Sequence, residues 1–199
     1  MKVPPPDLAE RLWQVADRAL RQGGDIRIDE LAELSGVPRA TLYYYFSGKD
    51  DVLAFLLAQQ LERGTKAIAA AAQSRGGAAE RLAAVLRAML RTMAEHPALC
   101  TRLMGGMTND AAGAQLMAEV ERTLMAPVRD LLDAGRASGE LVVGDTTDTT
   151  LSLVGAVAIT AMVRTATNTF DPDQVAERLV PQFLDGLRPR DPPEGPSKS

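Results

Sequence analysis

Cysteine is almost missing from this 199-residue chain: Cys100 stands alone, so no internal disulfide can form and packing must hold the fold. Histidine is just as scarce, with His96 alone, and no group of residues has metal-ligand spacing, so neither a metal nor a cofactor is expected. Aromatic residues are 4% of the chain, and between positions 67 and 180 only Phe170 occurs, which argues against an aromatic cage for quaternary cations. Long apolar runs are missing too. The longest uncharged stretch, 149–163, lies between Asp148 and Arg164, is rich in Thr and Ser, and falls short of the ~20 residues of a bilayer span. It reads as a buried helix, and no membrane contact is expected. The start, Met-Lys-Val-Pro-Pro-Pro-Asp, lacks the apolar segment of a secretory signal, which makes the cytoplasm the expected compartment.

Strand signals are scarce as well: Leu141-Val142-Val143, between Gly139 and Gly144, reads as a connector. Catalytic groupings are lacking. Gly105-Gly106 has no strand before it, as a phosphate loop would need, and Glu95, His96 and Asn109 are scattered. An all-α enzyme is therefore the weakest reading, and no catalytic residue is assigned. Excess positive charge is also absent. Net charge is -4, and residues 1–63 hold eight Lys or Arg against ten Asp or Glu. Phosphate attraction supplies much of the affinity of DNA-binding proteins, so only local placement could make this segment a nucleic-acid binder. Between 35 and 49 the only charges are Arg39 and Lys49, both positive.

What is present is apolar spacing at three to four residues, within a composition of 46% hydrophobic and 24% charged residues that rules out wholesale disorder. The pattern predicts an all-α protein of about nine helices. Asp7 caps a first helix with Leu8, Leu12, Val15, Ala16, Ala19 and Leu20 inward and Trp13 beside that stripe. Short helices over 28–34, with Ile28, Leu31, Ala32 and Leu34 inward, and over 39–45 follow. Ser47-Gly-Lys-Asp50 has the form of a capping box that opens a fourth helix to residue 65 or beyond. Further helices are expected over 78–96, 99–104, 112–137 with a kink at Pro127, 147–167 and 173–187. The domains expected are 1–50, a three-helix helix-turn-helix unit, and 51–187, a helical bundle. The tail 188–199, with four prolines and a glycine, reads as disordered.

The segment 31–46 carries the functional reading. Ala32 leaves room for a crossing helix, Gly36 turns the chain, and Val37 and Leu42 fill the wedge. Three tyrosines in a row fan around a short helix at ~100° per residue, so at least one must be exposed. Buried packing of the others and contact with DNA both remain open.

With Thr41-Leu42-Tyr43-Tyr44-Tyr45-Phe46 followed by Lys49-Asp50, residues 8–60 resemble the TetR family of bacterial regulators. The resemblance implies a dimeric repressor with a C-terminal bundle that binds a small molecule. It places Arg39 and Ala40 at the base-facing start of the recognition helix, Thr41 on base or phosphate, Tyr43, Tyr44 and Tyr45 on phosphates and thymine methyls, and Lys49 on a phosphate. Many relatives have Ser or Thr where Ile26 or Arg27 stands, so Arg27 either replaces that phosphate contact or the contact is missing.

Met89, Met93, Met104, Met107, Met125 and Met162 lie where relatives hold their effector; they are either pocket wall or plain core. The helix over 147–167 presents Leu151, Val154, Gly155, Ala158 and Met162, and the last helix Val175, Leu179 and Phe183. These form either a dimer face, as half of a four-helix bundle, or a buried intrachain contact. Operator DNA, a mainly apolar effector and a second copy are the expected partners. The rival reading is a helical ligand-binding or scaffold protein whose helix-turn-helix no longer functions.

Overall fold

The computed structural model describes residues 3–21, 27–105 and 111–189. Among these no strand occurs, and the helices are α1 (Pro6–Arg21), α2 (Ile28–Ser35), α3 (Arg39–Tyr45), α4 (Lys49–Ala72), α5 (Ala78–Glu95), α6 (Pro97–Gly105), α7 (Ala111–Val120), α8 (Ala126–Ser138), α9 (Thr146–Ala166) and α10 (Pro172–Leu187). A π-turn, Glu121–Met125, joins α7 to α8. Counted as one run, these make nine helices among the described residues, the number the periodicity indicates.

Two cores form. Leu8, Leu12, Trp13, Leu31, Leu42 and Phe46 of the first three helices and their ends pack on Val52, Phe55 and Leu56 of α4. Ile68, further along α4, belongs to a second core with Leu82, Leu86 and Leu90 of α5, Leu132 of α8, Val157 of α9 and Val180 of α10. One helix of 24 residues thus enters both cores. The last ten positions of the tail lie outside the described residues, so the expectation of disorder is not addressed there.

Local chemistry sets the element ends, and several differ from expectation. α1 starts at Pro6, with the Pro5 carbonyl accepting from Ala9 N at 2.9 Å. Asp7 therefore sits in the first turn, where its charge suits the helix dipole, and is not the cap. The fourth helix is capped one residue later than expected. Gly48 is its N-cap, and Asp51, not Asp50, accepts from Ser47 N at 2.9 Å. That bond holds the Asp51 carboxyl below its ordinary range. α6 begins at Pro97, two residues earlier than predicted, because the Asp17 carboxylate on α1 accepts from Ala98 N at 2.8 Å.

The distortion expected at Pro127 takes the form of the π-turn just before it. Proline cannot donate to the carbonyl four residues back, and the preceding Ala126 N–H reaches Glu121 O, five residues back. The connector 139–144 is tied down as the sequence suggests. Gly139 takes the left-handed conformation (φ 77°), Leu141 and Val143 are buried, and Val142 N donates to Leu187 O at 2.6 Å, satisfying a carbonyl at the end of α10. Gly135 allows this closure: a Cβ there would come within 2.5 Å of Leu141 Cδ1.

α9 is the one helix among the described residues long and apolar enough to cross a membrane by length and composition. The sequence suggests a buried helix, and the structure buries one side only. Leu153, Val154, Val157 and Ala161 join the second core, whereas Leu151, Ile159 and Val163 are more than half exposed.

Candidate nucleic-acid interface and ligand cavity

The turn between α2 and α3 is built as its residue types require. Gly36 has φ 63°, and Val37 N donates back to Ala32 O at 3.1 Å, which closes the end of α2. Arg11 of α1 adds a bond that the motif does not signal, from its guanidinium to Gly36 O at 2.9 Å. A Cβ on Gly36 would lie 3.2 Å from that same guanidinium. Val37 and Leu42 fill the wedge and are buried, and Ala32 is 7% exposed at the crossing. Phe46, which the motif leaves unassigned, is also buried and lies 5.5 Å from the Phe55 ring. Its place four residues after Leu42 was the available signal. On α2, Ser35 is buried in place of the expected Leu34, its hydroxyl donating to Leu31 O at 2.6 Å.

On α3 only Leu42 is buried, so the helix presents nearly its whole polar side outward. Arg39, Ala40, Tyr43 and Tyr44 are exposed; Thr41 and Tyr45 are half-buried. Tyr45 packs against the first core and meets the Tyr44 ring edge-on at 4.9 Å. The open question over three tyrosines thus resolves into two outward rings and one anchor that orients them. Arg39 pairs with Asp29 of α2, Nε to Oδ1 3.1 Å, both partly exposed. Arg27, the N-cap of α2, and Lys49, the first residue of α4, are exposed.

A cavity of about 300 Å³ lies between α4, α5, α6, the α7 to α8 run and α9. Of the predicted methionines, Met89, Met93 and Met125 line it, together with Met117. Met162 borders a small neighbouring void beside Pro97 and Cys100. The side chain of Met104 and all of Met107 lie outside the described residues. Four residues predicted for a dimer face, Leu151, Val154, Gly155 and Ala158, form the α9 wall of this cavity. Val154 and Val175, each 5% exposed, are core residues within one subunit and offer no outer surface. Leu179 and Phe183 of α10 are half-buried against that same core.

Sequence reasoning missed the most buried polar residue of the cavity wall, Gln60, which lines it with Thr65, Thr92 and Thr123. It sits at four-residue spacing with Leu56, Gly64 and Ile68 on the buried face of α4, and that polar break in an apolar stripe was the signal. Gln60 is 3% exposed, and its Nε2 donates to Thr92 O at 3.1 Å and to Cys100 Sγ at 3.2 Å. Its Oε1 is buried with no hydrogen-bond partner in the protein. An unsatisfied buried acceptor costs about 1–3 kcal/mol. Among the described residues that line the cavity there is no Asp, Glu, Lys, Arg or His. Burial, reinforced by the Asp17 charge, pushes the Cys100 thiol up to about 12, so it contributes no charge to the wall at neutral pH.

The cavity wall is fastened to the first helix. Leu103 and Cys100 line the cavity from α6, whose first turn is held by Asp17 of α1 through the Ala98 N–H. Trp13 of α1 packs on the His96 ring at 4.0 Å, and the Arg63 guanidinium of α4 lies 4.7 Å over the indole. Arg63 also pairs with Glu10 of α1. His96 closes the end of α5 and is buried, Glu95 is exposed, and Asn109 lies outside the described residues, so the polar groups weighed as catalytic are not shown gathered.

Comparison with known proteins agrees with this architecture. No curated protein matches the chain by sequence. Among solved structures, a transcriptional regulator of the TetR/AcrR family from Thermobifida fusca is 25% identical, with TM-score 0.71 over 92% of this chain and 100% of that one. The fatty acid degradation regulator FadR from Bacillus halodurans, 19% identical, superposes with TM-score 0.76 over 95% of this chain and all of its own. The transcriptional regulator FadR from Bacillus subtilis, solved in complex with stearoyl-CoA, is 18% identical, with TM-score 0.69 over 92% of this chain and 98% of that one. Residues 21–55 match the bacterial regulatory proteins of the tetR family, and residues 75–187, more than half the chain, match the tetracyclin repressor-like C-terminal domain. The chain belongs to the TetR family and is a transcriptional regulator.

Proposed function

We propose that two copies of this regulator form a repressor that binds operator DNA through α3 and is released when a small, mainly apolar molecule enters the cavity. The observation that carries the proposal is a physical connection. The cavity wall on α6 is hydrogen-bonded to α1, and α1 in turn holds the helix-turn-helix through Arg11 and Gly36. Residues 1–50 would then act as the reading unit, 51–187 as the sensing and dimerising unit, in the cytoplasm where the DNA is.

Arg39 and Ala40 would approach base edges at the start of α3, and Thr41, Tyr43, Tyr44 and Lys49 would meet phosphates and thymine methyls, with Arg27 on a flanking phosphate. Tyr45 would act mainly by orienting Tyr44, since it is half-buried and in edge contact with that ring. The segment 35–49 carries two cations, of which Arg39 is in an exposed pair with Asp29, so each subunit would offer a small positive charge that a two-fold axis doubles.

For the dimer, the outer face of α9 supplies Leu151, Ile159 and Val163, exposed at 54%, 53% and 51% and spaced by multiples of four on one side of the helix. Single exposed apolar residues are ordinary, but three aligned on one helix face form a patch that a partner copy would cover. Met162 beside them, and Leu179 and Phe183 on α10, would complete the contact, while Gly155 and Ala158 belong to the cavity wall.

Release would follow from differential affinity. A ligand shifts the equilibrium only as far as it prefers the conformation that cannot bind DNA. Filling space among α4, α6 and α9 would swing α4 and reset the spacing of the two recognition helices. The Bacillus subtilis FadR, solved in complex with stearoyl-CoA, supports a ligand with a long apolar chain for a regulator of this fold, there joined to an anionic headgroup. Replacing Tyr43 by Phe or Lys49 by Ala should weaken operator binding with the dimer still folded. Unchanged affinity in both would remove these residues from the interface.

A further inference from the structure

Two spaces beside α6 meet at two residues. Among the described residues, Met93 of α5 and Cys100 of α6 border both the 300 Å³ cavity and the small neighbouring void, which holds about 10 Å³. That is no more than the least volume one water needs, about 10–15 Å³, so the void is packing slack and not a second site. Its far walls are Pro97 and Thr101 of α6 and Ala161, Met162 and Thr165 of α9. The partition has one fixed and one movable member. Cys100 is buried, its Sγ accepts from Gln60 Nε2 at 3.2 Å, and its N–H donates to His96 O at 3.0 Å. Met93 is half-buried against the second core, and its unbranched thioether chain repacks at little cost. The walls beyond them differ too. α9 is anchored in the second core by Leu153, Val157 and Ala161, whereas none of the α6 side chains described belongs to that core. Ala98 of α6 instead packs against the first core, and its N–H is bound by Asp17 of α1.

We infer that Met93 is the residue that sets specificity for ligand length: it ends the cavity, and only an apolar chain long enough to displace it presses on the first turn of α6. This rests on the reading of the cavity as the effector site. The void is too small to take a thioether end without moving a wall, and the α6 wall is the one not tied into the second core. A chain that stops short of Met93 fills the cavity and leaves α6 in place. A longer one passes its excess length through Met93 to Pro97, next to the residue that Asp17 holds. Binding and response therefore separate: affinity follows how much of the cavity is filled, and the signal to α1 follows reach.

The test uses the full chain and the linear alcohols from 1-hexanol to 1-tetradecanol, probes with one head and graded length that bracket 300 Å³, about ten water volumes of liquid. Affinity is read by calorimetry. The junction is read by fluorescence of Trp13, the one tryptophan of the chain, which packs at 4.0 Å on His96, the residue before Pro97. In the wild type affinity should rise about fourfold per methylene up to a limiting length and then level off, and the Trp13 signal should start to change only there. Met93→Ala should move both points to chains longer by roughly the three heavy atoms it removes, and Met93→Leu by about one, so loss of folding in one variant leaves the other to decide. Met125→Ala, which removes the same atoms from a part of the wall that does not border the void, should leave the Trp13 onset in place. An onset unmoved by both Met93 substitutions, or moved as far by Met125→Ala, would overturn the inference. A Trp13 signal that is flat across the series, or complete with 1-hexanol, would do the same. If no alcohol of the series binds, the effector reading of the cavity falls, and the inference with it.

Discussion

The two cores of this chain are made of different material, and the difference matches their work. The N-terminal core concentrates Trp13, Phe46 and Phe55 around a tight glycine turn, with α3 held on one buried leucine. The C-terminal core is aliphatic and methionine-rich, keeps Phe170 and Phe183 at its margin, and encloses a cavity. Stiff aromatic rings and a left-handed glycine hold a short helix in one orientation, as reading DNA requires. Unbranched methionines around a void tolerate rearrangement, as the proposed sensing requires. Asp17, Trp13 and Arg63 join the two regions, the contacts through which the proposed release would pass.

The contrast can be broken most sharply by volume. Leu42→Ala in the tight N-terminal core should cost about 2–5 kcal/mol, whereas Met93→Leu at the cavity wall should cost less than about 1.5 kcal/mol, both read by denaturant unfolding. Equal losses would mean that the two regions are packed alike. Gly36→Val should come next, at about 1–3 kcal/mol, because it combines a left-handed backbone with a Cβ 3.2 Å from Arg11. Its DNA binding should fall further than its stability, since the turn aims α3.

Surface changes should touch one function and leave folding alone. Lys49→Ala should weaken operator binding several-fold and lower the salt slope by about 1, with the melting temperature unchanged. Asp29→Asn should release Arg39 and raise binding to arbitrary duplexes relative to the operator, at a stability change below about 1 kcal/mol for an exposed pair.

The Cys100 thiol gives the smallest effect near neutrality. Its folded-state value, about 12, lies above the ordinary 9.0, so the folded protein holds that proton more tightly than the unfolded chain. The associated stability is complete below pH 9.0 and is lost as pH rises from there through about 12. Cys100→Ala should flatten the stability curve across that alkaline window, and iodoacetamide should label the native thiol at neutral pH only as fast as the protein opens.

How much of this was legible in the sequence followed from distance along the chain. The helix-turn-helix rests on spacing within sixteen residues, so Gly36, Val37 and Leu42 could be assigned their places from residue type alone. Caps were misplaced by one residue because Asp50 and Asp51 are equivalent in sequence and only backbone geometry selects Asp51. The methionines pointed to the cavity's neighbourhood, but its wall is assembled from five stretches of chain that periodicity cannot bring into register. That is why Gln60 is not evident from spacing, and why the sequence leaves open whether Val154 and Val175, apolar on apolar helices, meet a partner or the subunit's own core, where they pack. Hydrophobic spacing shows that a helix has a buried face; it does not say which of two apolar faces meets the subunit's own core.

The most direct test of the account is titration of the purified protein against the intergenic DNA upstream of its own coding sequence and against a scrambled duplex, at physiological salt, with the mass of the complex determined. The account predicts selective binding of the upstream duplex by one or two dimers. Equal, weak binding to both duplexes would contradict it and leave the cavity as the chain's remaining functional feature.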